Sequence, residues 1–162
     1  MVPTNHPFPK ADSIRRVIAD LLGREVTVTP GDALVLERAT PAVVSDYVTA
    51  DGRIAAMCIT DLRLSNALGA ALTMVSVRHV DDAVKQRVVD HQNLDNLAEI
   101  VNIMARLFNS ADCALLEWNR AHALPGDVPD ATTALLKAPR ARRDYDVTLE
   151  EYGSGKLAIL VG

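Results

Sequence analysis

Residues 95–108 read DNLAEIVNIMARLF, and two patterns are superimposed on them. Leu94, just before the quoted run, and Leu97, Val101, Met104, Ala105 and Phe108 recur at the i, i+3, i+4, i+7 spacing of a buried helix face. At roughly 100° per residue, Asp95, Glu99 and Asn102 fall within an arc of about 60° on another side. The stretch therefore predicts a helix that packs on a core and presents a polar stripe outward. A solvated face asks only for generic polarity, which Lys, Arg and Glu usually supply. An exposed Asn inside a helix is less expected, because its side chain competes for backbone hydrogen bonds. Either a wet surface or a working one is compatible with the pattern alone.

Outward from this helix, the elements before it come in the order helix, then strands. Asp12 and Ser13 offer N-cap chemistry to an amphipathic helix through Ile14, Val17, Ile18, Leu21 and Leu22 that stops at Gly23. Residues 25–29 (EVTVT) alternate and are β-branched, and residues 43–49 and 53–60 flank the turn-like Ala50-Asp51-Gly52 as a hairpin. A second helix is predicted over residues 62–75, rich in small residues that let a neighbour approach closely. A third pattern starts near Asp81 and Asp82 and runs to about Phe108, with residues 91–93 marking where it would break. Residues 112–118, 131–137, 144–149 and 156–161 then read as four strands separated by Pro, Gly and charged clusters. Strand runs interspersed with clustered helices predict an α+β domain in which a mainly antiparallel sheet packs against helices.

Composition narrows the function classes. The chain has 162 residues, 49% of them hydrophobic, enough for one core. The expected organisation is a flexible N-terminal segment over residues 1–10 and a single domain over residues 11–162. A net charge of −4 lacks the dominant basic field that nucleic acid or an anionic membrane surface would need. The start, MVPTNHPFPK, has three prolines and no apolar run of signal-peptide length, and no segment reaches membrane-span length. A cytoplasmic protein is expected. Cys58 and Cys113 each sit in a strand-like apolar run and read as small buried hydrophobes, not a disulfide.

The common catalytic signatures are missing. There is no GxSxG, no Walker A pattern and no HExxH. The four histidines, at positions 6, 79, 91 and 122, show no i, i+4 pairing and no neighbouring cysteine pair. No metal site or cofactor of the chain's own is expected.

Asp95-x-x-x-Glu99-x-x-Asn102, with Pro125 following 23 positions after the amide, resembles the signature of the CheC/CheX/FliY phosphatases of bacterial chemotaxis. The resemblance implies a CheC/CheX-like fold and a protein phosphatase acting on the aspartyl phosphate of a CheY-like response regulator. Asn102 would orient the attacking water and Glu99 would pair with the receiver's active-site lysine, while Mg²⁺ would sit on the receiver. An amide suits that task because it donates and accepts without adding charge beside the phosphate. Only one Glu-x-x-Asn occurs, which resembles single-site CheX more than two-site CheC. A CheX-like homodimer is a candidate assembly, and a non-catalytic adaptor for a receiver or flagellar switch is the rival reading.

Three features stay open at this level. Arg106 stands where the family commonly has a small residue; it could obstruct the receiver, attract the phosphoryl group, or be a surface ion-pairing residue. Pro125 also fits an ordinary turn in ALPGDVP. The basic cluster Lys137, Arg140, Arg142 and Arg143 could be a solvated connection or a docking patch for an acidic surface.

Overall fold

The computed structural model describes residues 6–162. Its elements are α1 (Ala11–Leu22), β1 (Val26–Pro30), β2 (Ala42–Val48), β3 (Ile54–Asp61), α2 (Leu62–Leu72), α3 (Val77–Lys85), α4 (His91–Met104), β4 (Glu117–Leu124), α5 (Asp130–Lys137), β5 (Ala141–Leu149) and β6 (Gly153–Val161). A 3-10 turn, Ala105–Phe108, continues α4. The six strands form one sheet in the order β1-β5-β6-β3-β2-β4 with every pair antiparallel. This is the α+β architecture expected from the sequence.

The sheet is covered unequally. On one face α1, α2 and α4 bury the large core that includes Ile14, Ile18, Tyr47, Leu68, Leu97 and Phe108. The other face carries a smaller cluster of Leu34, Val44, Met57, Ile59, Leu135 and Leu160 under α5 and residues 31–40. Because β2 lies inside the sheet and is covered on both faces, Ala42 through Tyr47 are all buried, and the strand reads as a continuous apolar run broken by Ser45 and Asp46. No helix among the described residues is long and apolar enough to cross a membrane.

Several junctions follow from single side chains. Gly23 closes α1 at φ 62°, where its N–H donates to Ala19 O, a left-handed C-cap that favours glycine. Asp61 joins strand to helix: one carboxylate oxygen accepts from the Leu64 N–H at 2.8 Å and the other from the Lys156 N–H at 2.9 Å. Asp90 caps α4 by accepting from the Gln92 and Asn93 N–H groups.

Four local expectations are corrected. The third helical pattern is two helices, because residues 86–90 turn the chain, with Arg87 at φ 57° and Asp90 starting α4 afresh. Residues 112–116 are a loop, and β4 begins only at Glu117. Leu115 there is 62% exposed, and the Asn109 side chain bonds both the N–H and C=O of Leu116, so Cys113 lies in a loop and not in a strand. Residues 131–137 are helical: Pro129 stands at the N-cap of α5, and Thr132 and Leu135, three apart, face the sheet. Finally, α1 starts at Ala11 with Lys10 as N-cap, leaving Asp12 in the first turn, paired with Arg15 and Arg16. Of the segment expected to be flexible, residues 1–5 lie outside the described residues. Residues 6–10 rest on the body, where Pro9 O accepts from the Tyr145 hydroxyl and Phe8 lies under the Arg143 guanidinium.

Candidate functional site

The polar stripe stands on α4, and α4 is held from behind. Leu97, Ile100, Val101 and Met104 are buried at 1% exposure or less. The Tyr47 hydroxyl, from β2, donates to the Val101 carbonyl at 2.7 Å, and its ring meets Phe108 with centroids 4.8 Å apart. Burial pushes the pKa of that hydroxyl well above its ordinary value, so it stays a donor through the physiological range.

Toward α2 the attachment is polar and was not foreseen from the sequence. Asn96 donates to Gly69 O at 2.9 Å and to Thr73 Oγ1 at 3.1 Å. Asn93 donates to the Asn66 side-chain oxygen at 3.0 Å, which also accepts from the Asp90 N–H, while the Asn66 amide group donates to Leu62 O and Val88 O. These three buried amides tie the start of α4 to α2 across Gly69, where an added Cβ would stand 2.2 Å from Asn93 O. Nothing in their immediate sequence marks them as a set: Asn66 stands between Ser65 and Ala67, but Asn93 follows Gln92 and Asn96 follows Asp95.

Asp95, Glu99, Asn102 and Arg106 are all exposed, and none of their side chains makes a hydrogen bond or ion pair among the described residues. Asp95, Glu99 and Asn102 share the outward face of one α-helix. Arg106 lies at the border of that stripe, because the change to 3-10 pitch after Met104 carries it about 40° further round than an α-helix would, to about 20° beyond Glu99. It borders a groove of about 400 Å³ formed with Lys10, Ser13, Asn109 and Ser110. Pro125 follows a cis Leu124–Pro125 bond and is exposed. Leu124 pairs with Ala42, five residues along β2 from Tyr47, so about 17 Å of strand separates the proline from the point where Val101 is tied to the sheet.

Next to Asn102, Ile103 is 39% exposed, so the outward surface is not wholly polar. Chemically, the face offers an amide and two carboxylates free to bind a partner. Among the described residues no group of three His, Cys, Asp or Glu could hold a metal ion. Both cysteines are free, Cys58 buried and Cys113 partly so.

A second polar cluster lies on the sheet face away from α4. Asp46 is fully buried, and its Oδ2 meets His122 Nε2 at 2.7 Å and accepts from Thr132 Oγ1 at 3.1 Å. Its Oδ1 has no partner among the described residues. The cluster ties β2, edge strand β4 and α5 together. Misreading β4 and α5 in the sequence concealed it.

No family model matches the sequence, and no curated protein does. Solved structures do resemble the fold. A chain of the FliM–SpeE complex from H. pylori superposes with a TM-score of 0.63 at 7% identity, covering 93% of this chain and 80% of that one. The FliM middle domain from Vibrio alginolyticus gives 0.55 at 11% identity, covering 93% and 87%. A chain of the CheX–CheY–BeF3–Mg complex from Borrelia burgdorferi gives 0.47 at 10% identity, covering 93% of both chains. On the first two, this chain has the fold of the FliM middle domain.

Proposed function

We propose that this chain is a phosphatase for the aspartyl phosphate of a CheY-like response regulator, with Asn102 and Glu99 as its working residues. One observation carries the reading: the Glu-x-x-Asn pair stands unpaired and exposed on the outward face of a helix that is fixed from behind. In this reading Asn102 enters the receiver's active site and orients water toward phosphorus. As the P–O bond forms, the bond to the receiver's aspartate breaks and its electron pair stays on the carboxylate, releasing inorganic phosphate. Glu99 pairs with the receiver's lysine, and Mg²⁺ on the receiver neutralises the phosphoryl oxygens. The chain then needs to supply little beyond positioning, which alone can be worth several orders of magnitude.

The likeness to FliM favours a second reading, an adaptor that docks without chemistry, since the FliM of H. pylori is seen in complex with SpeE. Single-turnover decay of a phosphorylated CheY-like receiver separates the two. The phosphatase reading expects accelerated decay, loss of most of that acceleration in Asn102→Ala, and binding of the receiver changed by less than about 1 kcal/mol, as for an interaction made chiefly in the transition state. Glu99→Ala weakens binding as well. Arg106, at the border of the stripe beside Glu99, is read as an obstruction there, so Arg106→Gly raises the rate. Unaccelerated decay with binding intact makes the chain an adaptor.

A further inference from the structure

The end of α4 departs from the α-helical pattern at two carbonyls, and a side chain occupies each of them. An uninterrupted α-helix would give the Ala105 N–H to Val101 O. Here that N–H is directed at Asn102 O, three residues back, and the Val101 carbonyl accepts from the Tyr47 hydroxyl at 2.7 Å. Four residues on, the Asn109 N–H goes to Arg106 O at 3.2 Å. The carbonyl it would have met, Ala105 O, accepts from the Asn109 side chain at 3.1 Å. The turn Ala105–Phe108 is thus held in 3-10 pitch at both ends. Tyr47 reaches both ends itself, since its ring packs on Phe108.

Tyr47 stands on β2, inside the sheet, and is fully buried, so its hydroxyl has a fixed origin. Val101 is 1% exposed, and a carbonyl buried there needs a donor. Without the hydroxyl, the donor that can serve it is the Ala105 N–H, and capturing that N–H restores α pitch. At 100° per residue Arg106 would then stand about 40° round the helix from Asn102, between Asn102 and Glu99. With the two steps after Met104 at 120°, it stands about 80° away, beyond Glu99. The Val101 carbonyl also belongs to the same planar peptide as the Asn102 N–H, so the hydroxyl fixes the backbone that carries the amide.

From this we infer that Tyr47 is a positioning residue for Asn102: its hydroxyl, by occupying the Val101 carbonyl, keeps the helix in the tighter pitch and holds the Arg106 guanidinium clear of the amide. The inference rests on the phosphatase reading for what Asn102 does, and not for the pitch itself. Arg106 is exposed and makes no hydrogen bond or ion pair among the described residues, so the backbone alone decides where its side chain starts. In α pitch it would enter the strip between Glu99 and Asn102 that a receiver's lysine and phosphoryl group must reach.

Tyr47→Phe removes the hydroxyl and keeps the ring, and Tyr152→Phe, which loses a hydroxyl bond to Val75 O, is the matched loss elsewhere. N–H residual dipolar couplings over residues 91–108, measured by NMR on the unliganded chain, report the pitch. In wild type and Tyr152→Phe the vectors of residues 105–107 depart from a continued α-helix; in Tyr47→Phe they join it. A continued helix in wild type, or an unmoved turn in Tyr47→Phe, overturns the inference whatever the chain does to a receiver. Single-turnover decay of a phosphorylated CheY-like receiver supplies the functional half. Tyr47→Phe slows the accelerated decay about tenfold, Tyr152→Phe does not, and adding Arg106→Ala to Tyr47→Phe restores the rate, which loss of stability alone would not allow. An unslowed rate, or a slowed one that Arg106→Ala leaves slow, overturns the positioning role. If wild type gives no acceleration, the phosphatase reading fails, and receiver affinity becomes the readout, with the same loss in Tyr47→Phe and the same rescue required.

Discussion

Gly69→Ala tests whether α4 is positioned by close approach to α2 or merely by its apolar face. On helix propensity alone, alanine in place of a mid-helix glycine gains about 1 kcal/mol. The geometry opposes this, because the new Cβ would lie 2.2 Å from Asn93 O, 2.5 Å from its Cα and 2.7 Å from its carbonyl carbon, where ordinary contact begins at 3.4 Å. All three atoms are backbone, so no rotamer change relieves the clash and the first turn of α4 must retreat by about 1 Å. Overpacking of this kind costs roughly 1–3 kcal/mol. The retreat also stretches the Asn96 to Gly69 O hydrogen bond, now 2.9 Å, at a further cost of about 1 kcal/mol. Against the propensity gain the net is a loss of about 2 kcal/mol, or a fall in Tm of roughly 4–8 °C for a chain of this size. Urea unfolding followed by circular dichroism, with calorimetry for Tm, measures it. An unchanged or raised stability would refute the packing argument, since the two contributions have opposite signs.

Further expectations rest on other contacts. His122→Ala strands the buried Asp46 carboxylate with Thr132 as its remaining partner and lowers stability by about 3 kcal/mol in urea unfolding, and pairing it with Asp46→Ala should cost less than the single change predicts. At Asp144, burial pushes the carboxyl pKa up, but the Arg142 hydrogen bond, the Leu34 N–H and the charges of Arg142 and Lys156 outweigh it and hold the carboxyl below its ordinary value of 3.8. The stability it contributes is therefore present above that value and lost as pH falls through the lowered folded value; Asp144→Asn, destabilising by roughly 2 kcal/mol at neutral pH, should converge on wild type under acid in unfolding curves taken across that window. Burial pushes the Cys58 thiol up to about 12, so iodoacetamide at mildly alkaline pH should label the native chain at Cys113 alone, and mass spectrometry of Cys113→Ser should show no native labelling.

The outward stripe and the core of α4 were legible in the sequence because helix period and polarity coincide over residues 95–104. The β2–β3 hairpin was legible for a similar reason: an alternating or apolar run on each side of Asp51-Gly52. What failed were short segments whose apolar content fits either state. ATTALLK satisfies a strand pattern and a two-turn helix equally, and Pro129 decides it only once the sheet is there to receive Thr132 and Leu135. DCALLEW looks continuous, yet Leu115 and Leu116 diverge because Asn109 holds the loop closed around Leu116. Asn66, Asn93 and Asn96 were invisible as a set, since a buried amide is explained only by the distant backbone it bonds. The end of α4 was a subtler case, for a uniform helical count could not anticipate the tighter pitch after Met104.

The fastening of α4 to α2 by Asn66, Asn93 and Asn96 has a physiological corollary. Amide hydrogen bonds carry no net charge and do not titrate between acid and alkaline conditions, and buried ones are little affected by dissolved ions. The amide part of the platform should hold its shape as the surrounding medium shifts in acidity or osmotic strength, and the titratable group in the support is the Asp90 carboxylate that caps α4. Above the range in which that carboxylate is protonated, sensitivity of the outward face to those conditions would originate in Asp95, Glu99 and Arg106 themselves, or in whatever they meet, and salt titrations of partner binding at neutral pH could be interpreted as a property of the encounter.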